Sequence, residues 1–126
     1  MNSPEARNDY TAGQSDERPW GSWTVLAVGD GFVVKKITVN PGHLLSLQSH
    51  RYRAEHWTIL AGTAEVTVGD ETYQRTADES VFIPATARHR IANVGNETMT
   101  FIEIQTGPVL SEDDIERFDD RYNRAD

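Results

Sequence analysis

Residues 41–66, PGHLLSLQSHRYRAEHWTILAGTAEV, set two apolar, strand-like runs on either side of a short polar turn, with three metal-binding side-chain types between them. Side chains two apart on a strand point to the same face, so Gln48 and His50 project together toward whatever lies beneath. Glu55 follows after the turn, and Gly42 and Gly62 bracket the set. Further along, FIPATARHRIAN delivers His89 just after a proline-led turn. Two imidazoles, a carboxylate and an amide oxygen form a mixed nitrogen and oxygen donor set. Such a set suits a borderline divalent ion such as Zn, Mn, Fe, Co or Ni and, lacking thiolates, does not suit a closed structural zinc site. The competing reading is that a strand histidine is a hydrogen-bonded core or rim residue. His56, on the face opposite Glu55, and His43, at a turn, are read that way.

The rest of the chain is consistent with one domain around this stretch, since 126 residues bury a single modest core. Residues 1–17 are polar and acidic and are expected to form a disordered N-terminal arm; residues 18–126 form the single domain. Short runs at 22–28, 31–39, 43–48, 54–61, 63–68, 71–76, 80–83, 89–93 and 99–105 are divided by turn signals such as Gly29-Asp30-Gly31 and Asn40-Pro41-Gly42. About nine strands so punctuated predict an all-β antiparallel sandwich or small barrel. The tail has a different period. Ser111 as N-cap, acids in the first turn, and Ile115, Phe118 and Tyr122 at helical spacing predict a short C-terminal helix lying on the barrel. Trp20, Trp23 and Trp57 are read as core or interface packing.

A net charge of −8 disfavours nucleic acid and anionic membrane as partners. An anionic small molecule would then need a local basic cluster, for which Arg51, Arg53, Arg88 and Arg90 flank His50 and His89; each is equally readable as a solvated loop charge. Lys35 shares an apolar strand face with Val33, Ile37 and Val39, which puts its ammonium inside the barrel if that face is the lumen, with Glu103 on the late strand as its candidate ion-pair partner; a snorkelling side chain is the other reading. The chain has no cysteine, no apolar leader and no long apolar run, so the expected location is the cytoplasm.

The spacing from Gly42 through Gln48, His50 and Glu55 to Gly62 resembles the first cupin motif, with Gln48 where histidine is commoner. The segment with Pro84, His89 and Asn93 resembles the second, with Asp78 and Thr86 where glycines are usual. That resemblance implies a cupin double-stranded β-helix, a jelly-roll barrel whose lumen holds one metal ion, here on Gln48, His50, Glu55 and His89. The phrases RPWGSW, VKKITVNPG, LSLQSHRYRAEHW, GTAEV, FIPATARHRIANVG, IEIQTG and SEDDIERFDDRYNR, spanning residues 18–124, look more narrowly like the isomerase domain of type II phosphomannose isomerases. Ser111 and Asn123 replace glycines usual in that family's tail. In the family this domain usually ends a bifunctional mannose-1-phosphate guanylyltransferase/mannose-6-phosphate isomerase. No nucleotidyltransferase sequence precedes it here, so guanylyltransferase activity is not expected of these residues. The resemblance implies a metal-dependent interconversion of mannose 6-phosphate and fructose 6-phosphate. Arg53 is then the expected catalytic cation, with Lys35 and Arg88 binding substrate. A homodimer and a separate guanylyltransferase are the expected partners. Two other functions remain compatible with a cupin fold: a non-catalytic sugar or sugar-nucleotide binding module, and an oxygenase.

Overall fold

The computed structural model describes residues 4–122, so Asn123 lies outside the described residues. Two antiparallel sheets contribute to one core. The six-stranded sheet runs in the order β2 (Ser15–Arg18), β3 (Gly21–Gly29), β4 (Phe32–Val39), β11 (Met99–Thr106), β6 (Ala54–Ala61) and β9 (Ser80–Ile83). The five-stranded sheet runs β13 (Glu116–Asp119), β5 (Leu47–Ser49), β10 (His89–Asn93), β7 (Ala64–Val68) and β8 (Glu71–Arg75). A parallel pair, β1 (Arg7–Asn8) with β12 (Val109–Leu110), completes the fold. The expected strands are found at nearly the expected bounds, with one exception. Of the run 43–48, only its last two residues enter β5, and Leu44 makes a single bridge to Ala92.

Strand alternation decides what reaches the interior. On β4 the buried residues are Val33, Lys35, Ile37 and Val39; on β11 they are Met99, Phe101, Glu103 and Gln105; on β6 they are Glu55, Trp57 and Ile59. Residues directly opposite on antiparallel strands share a face, so the register sorts these side chains into cross-sheet rows. Ile37, Phe101 and Ile59 form one row, and Val39 and Met99 extend the same dry end. Lys35, Glu103 and Trp57 form the next row, and Gln105, Glu55 and Ile83 the one beyond. One end of the interior is therefore apolar and the other is charged. Burying Phe101 or Ile59 contributes roughly 1.5–3 kcal/mol each, which holds a scaffold that carries a polar half.

Two expectations are corrected. The disordered arm is not observed over residues 4–17: β1 pairs with β12, β2 pairs with β3, and Tyr10 is buried. Average composition hides a single aromatic anchor, and the open edge of β3 offers backbone partners to a polar strand. The C-terminal helix is not seen either. Asp113 N–H donates to Ser111 Oγ at 3.1 Å and Asp114 N–H to Ser111 O at 3.2 Å, so a cap-like turn does form. The chain then extends as β13 and pairs with β5, matching Arg117 to Gln48. Satisfying the exposed edge of β5 outweighs the local helical period. Phe118 accordingly stays exposed, and the Tyr122 hydroxyl contacts His43 Nδ1 at 2.6 Å.

Both positions where the cupin motif usually has glycine, Asp78 and Thr86, adopt positive φ values of 73° and 74°. Thr86 is β-branched, so its conformation is strained; its N–H donates to His50 O at 2.8 Å, tying the second motif to the first.

Candidate metal centre

The charged end of the interior brings His50, Glu55 and His89 together, with one ligand atom from each lying within 4.8 Å of the others. His50 Nε2 is 3.2 Å from Glu55 Oε2, and His89 Nε2 is 3.8 Å from Glu55 Oε1. The remaining ring nitrogens are committed to the backbone: His50 Nδ1 donates to Asp114 O at 2.6 Å and His89 Nδ1 to Ala87 O at 3.0 Å. Those bonds set the tautomer, so both Nε2 lone pairs face Glu55. Burial pushes His50 down to about 4, against the attraction of Glu55, so its ring is neutral at pH 7. Burial also opposes ionisation of Glu55, but Arg53, His50 and His89 together hold its carboxyl well below the usual range. Two imidazole Nε2 atoms turned toward one carboxylate form a donor set that fits a divalent ion.

Gln48 lies on the wall beside them, as the β5 partner of His89. Its amide nitrogen turns toward Ser46 O and Oγ, both at 3.3 Å, so the carbonyl oxygen is the atom it has to offer a metal. Arg53, two residues before Glu55, is buried against the same group. Its Nε donates to Glu55 Oε2 at 3.0 Å, its Nη1 to Ser111 O at 3.2 Å and its Nη2 to His50 Nε2 at 3.3 Å. Asp114 secures this turn from the tail, accepting from Arg51 N–H at 2.9 Å and Tyr52 N–H at 3.0 Å.

The cavity above these residues is charged in the opposite sense to the protein. Arg18, Lys35, Arg53, Arg90 and Arg117 line it against Glu55, Glu103 and Glu112, five basic groups to three acidic, in a chain of net charge −8. Lys35 does reach the interior, but its ion pair is with Glu112 at 3.1 Å rather than Glu103. Its ammonium also lies 4.3 Å from the ring centroids of both Tyr10 and Trp23, a cation–π cradle that suits a buried ammonium. Arg88 does not enter the cavity. It stands just before β10 and lies exposed over the Phe118 ring at 3.8 Å. Arg51 is likewise exposed, against Tyr52. His56 faces outward beside Phe82.

Glu103 was legible only as a neighbour of Lys35, yet it is central. It is buried, accepts from Trp57 Nε1 at 3.1 Å and from Gln105 Nε2 at 2.8 Å, and shares the Trp57 indole with Glu55. Burial, reinforced by Glu55, pushes it up to about 8. The signal was available: an acid at the same parity as Met99 and Phe101 on a strand must face the core. Tyr10, Arg18, Glu112, Asp114 and Arg117 carried no such signal, because tertiary pairing alone brings them in.

Burial would raise the Glu112 carboxyl, but Lys35, the Tyr10 hydroxyl and Arg53 outweigh it and hold it down at about 2. A carboxylate depressed in the folded state stabilises it above the unfolded value, and that stability is lost as pH falls toward the folded one. With 41% of its side chain exposed, solvent screening reduces the effect to about 1 kcal/mol. Wild type should therefore exceed Glu112→Gln in urea unfolding by about that amount at pH 6, and the gap should shrink between pH 4.5 and pH 2. A gap that does not change with pH would refute the pairing.

The fold has known counterparts. The Schizosaccharomyces pombe Cnp3 cupin domain superposes with a TM-score of 0.66 at 20% identity, covering 68% of this chain and 64% of that one. A Bacillus subtilis oxalate decarboxylase gives 0.71 at 21% identity, covering 81% of this chain and 29% of that one. The chain is thus an all-β jelly roll of cupin type. No helix among the described residues is long and apolar enough to cross a membrane. Among curated proteins, the xanthan biosynthesis protein XanB of Xanthomonas campestris pv. campestris (strain B100) is 48% identical over 119 residues, 94% of this chain and 26% of that protein. The alginate biosynthesis protein AlgA of Pseudomonas aeruginosa is 50% identical over 108 residues, 86% of this chain and 22% of that protein. The mannose-1-phosphate guanylyltransferase ManC of Salmonella typhimurium is 42% identical over 121 residues, 96% of this chain and 25% of that protein. The chain spans about a quarter of the length of these relatives. Residues 5–120 match the family model described as mannose-6-phosphate isomerase C-terminal, and the chain belongs to that family.

Proposed function

We propose that this domain interconverts mannose 6-phosphate and fructose 6-phosphate with a divalent ion held by Gln48, His50, Glu55 and His89. The observation that carries the reading is the His50–Glu55–His89 group, lone pairs inward, at the base of a basic cavity in an acidic protein. A divalent ion bound there supplies Lewis-acid polarisation of the sugar's carbonyl and adjacent hydroxyl. The reaction moves one proton from C2 to C1 and one from O2 to O1 of the open-chain sugar, so no external reactant is consumed. Arg53 holds a fixed cation at the reacting end, where negative charge develops on oxygen. Glu103 is the wall carboxyl suited to carry the carbon-bound proton, because its hydrogen-bond donors are the neutral Trp57 indole and Gln105 amide. Lys35 helps make the cavity attractive to an anion, while Arg88, exposed on Phe118, is left without that role. The reading also includes a cytoplasmic location, a homodimer, and a guanylyltransferase acting on the same sugar-phosphate pool. The dimer is supported by the outer row of Val34, Ile104, His56 and Phe82 across the six-stranded sheet.

A coupled assay for fructose 6-phosphate, with Mn, Co or Zn added, tests the proposal. Gln48→Ala and His89→Ala should lose bound metal by elemental analysis, and Glu103→Gln should keep metal but lose turnover. Absence of turnover by metal-loaded wild type would sink the isomerase reading and leave a sugar-phosphate binding module.

A further inference from the structure

The cavity's cations fall into two groups by depth. Lys35 and Arg53 are almost fully buried, with side-chain exposures of 4% and 6%, and each is paired with an acid, Lys35 with Glu112 and Arg53 with Glu55. Arg18 and Arg90 are 26% and 19% exposed, and Arg117 is half-buried, so these three sit at the rim. They arrive from three different strands, β2, β10 and β13. Arg90 is held in place by Leu45 O at 2.9 Å and by Asp119 Oδ2 at 2.8 Å. Arg18 lies 3.1 Å from Asp16 and 3.3 Å from Glu112 Oε1. Arg117 is the cross-strand partner of Gln48, which is itself the partner of His89. Arg117 therefore shares the face of the metal-binding side chains, two strand spacings, roughly 10 Å, from the His89 backbone.

We propose, resting on the sugar-phosphate reading, that Arg18, Arg90 and Arg117 form a rim site for the substrate's phosphate. The sugar then lies along the cavity with its C1–C2 end at His50, Glu55 and His89. Three features favour a phosphomonoester at this end. Planar guanidinium groups from separate strands suit a tetrahedral dianion, and Arg90, whose Nε and Nη2 are taken by Leu45 O and Asp119, is braced to present Nη1 to it. A partly exposed rim lets that dianion keep part of its hydration while it gains charge-assisted bonds, whereas full burial would impose a desolvation penalty. The rim also already holds an oxyanion, since the Glu112 carboxylate sits between Arg18 and Lys35. The deep end offers no such place, because Arg53 is committed to Glu55, Ser111 and His50.

Titration calorimetry on metal-loaded protein, using mannose 6-phosphate, inorganic phosphate and mannose as separate probes, tests this assignment. Wild type should bind mannose 6-phosphate more tightly than mannose, and inorganic phosphate should compete. Arg117→Gln and Arg18→Gln should each weaken mannose 6-phosphate about tenfold, and the pair about a hundredfold. Metal content and the affinity for mannose should not change. Arg117→Lys should recover part of the loss, since it restores charge without the planar fork. If Arg117→Gln does not fold, Arg18→Gln and Arg90→Gln decide the matter. Folded variants that bind mannose 6-phosphate as tightly as wild type would overturn the rim site. So would a wild type that does not distinguish mannose 6-phosphate from mannose. Rim-dependent phosphate binding without turnover would remove the isomerase reading and leave this site standing.

Discussion

Glu55→Ala should lower the stability of the metal-free protein by roughly 3–5 kcal/mol and abolish metal retention. Glu55 is 1% exposed and accepts from Arg53 Nε at 3.0 Å and from Trp57 Nε1 at 3.0 Å. Its removal leaves a buried guanidinium without its counter-charge and deprives the indole of one of its two acceptors. It also deletes the anionic donor facing the two imidazoles. Urea unfolding of chelator-treated protein measures the first effect, and elemental analysis after dialysis the second. Glu55→Gln should fall between wild type and alanine, because it keeps an acceptor for Trp57 but not the charge that matches Arg53. A metal-free Glu55→Ala protein within 1 kcal/mol of wild type would contradict the ion-pair account. Stoichiometric metal in that variant would contradict the ligand assignment.

Gly107→Ala should cost about 3 kcal/mol, a large effect for a single methyl group. Gly107 joins β11 to β12 with a φ of +157°, and a Cβ built there would lie 2.1 Å from Tyr52 O and 3.0 Å from Arg53 Cα. Those neighbours are backbone atoms and cannot rotate away as a side chain would. The Tyr52–Arg53 turn must move instead, and it carries the guanidinium that holds Glu55. The variant should therefore unfold at a lower urea concentration and retain metal less well. Wild-type stability and wild-type metal content together would show that this close approach is dispensable.

The second prediction arises where segments distant in sequence meet, Gly107 against Tyr52 and Arg53, and that is where reading the sequence reached its limit. The strands from 54 to 106 were legible because alternation and turn residues act locally. His50, Glu55 and His89 were legible because a cupin-like spacing ties donor type to position. Glu103 was half-legible, since its parity announced an inward side chain but not its neighbours. Arg88 was misplaced because both arginines flanking His89 look alike in sequence, yet Arg88 stands before β10 against Phe118 while Arg90 reaches the cavity rim. The tail misled for a different reason: its helical period is real, but the unpaired edge of β5 exerts the stronger demand.

The sequence by itself determined the all-β class, most strand positions and the three side chains that can share an ion, because each depends on spacing within a strand or a turn. Only the tertiary structure decided that the N-terminal segment pairs with β3 and β12, that Lys35 pairs with Glu112, and that Arg18 and Arg117 stand at one mouth. The Tyr10–Glu112 contact spans 102 residues. Such pairings follow from which sheet edges need hydrogen bonds and which buried charges need partners, and both are properties of the assembled fold.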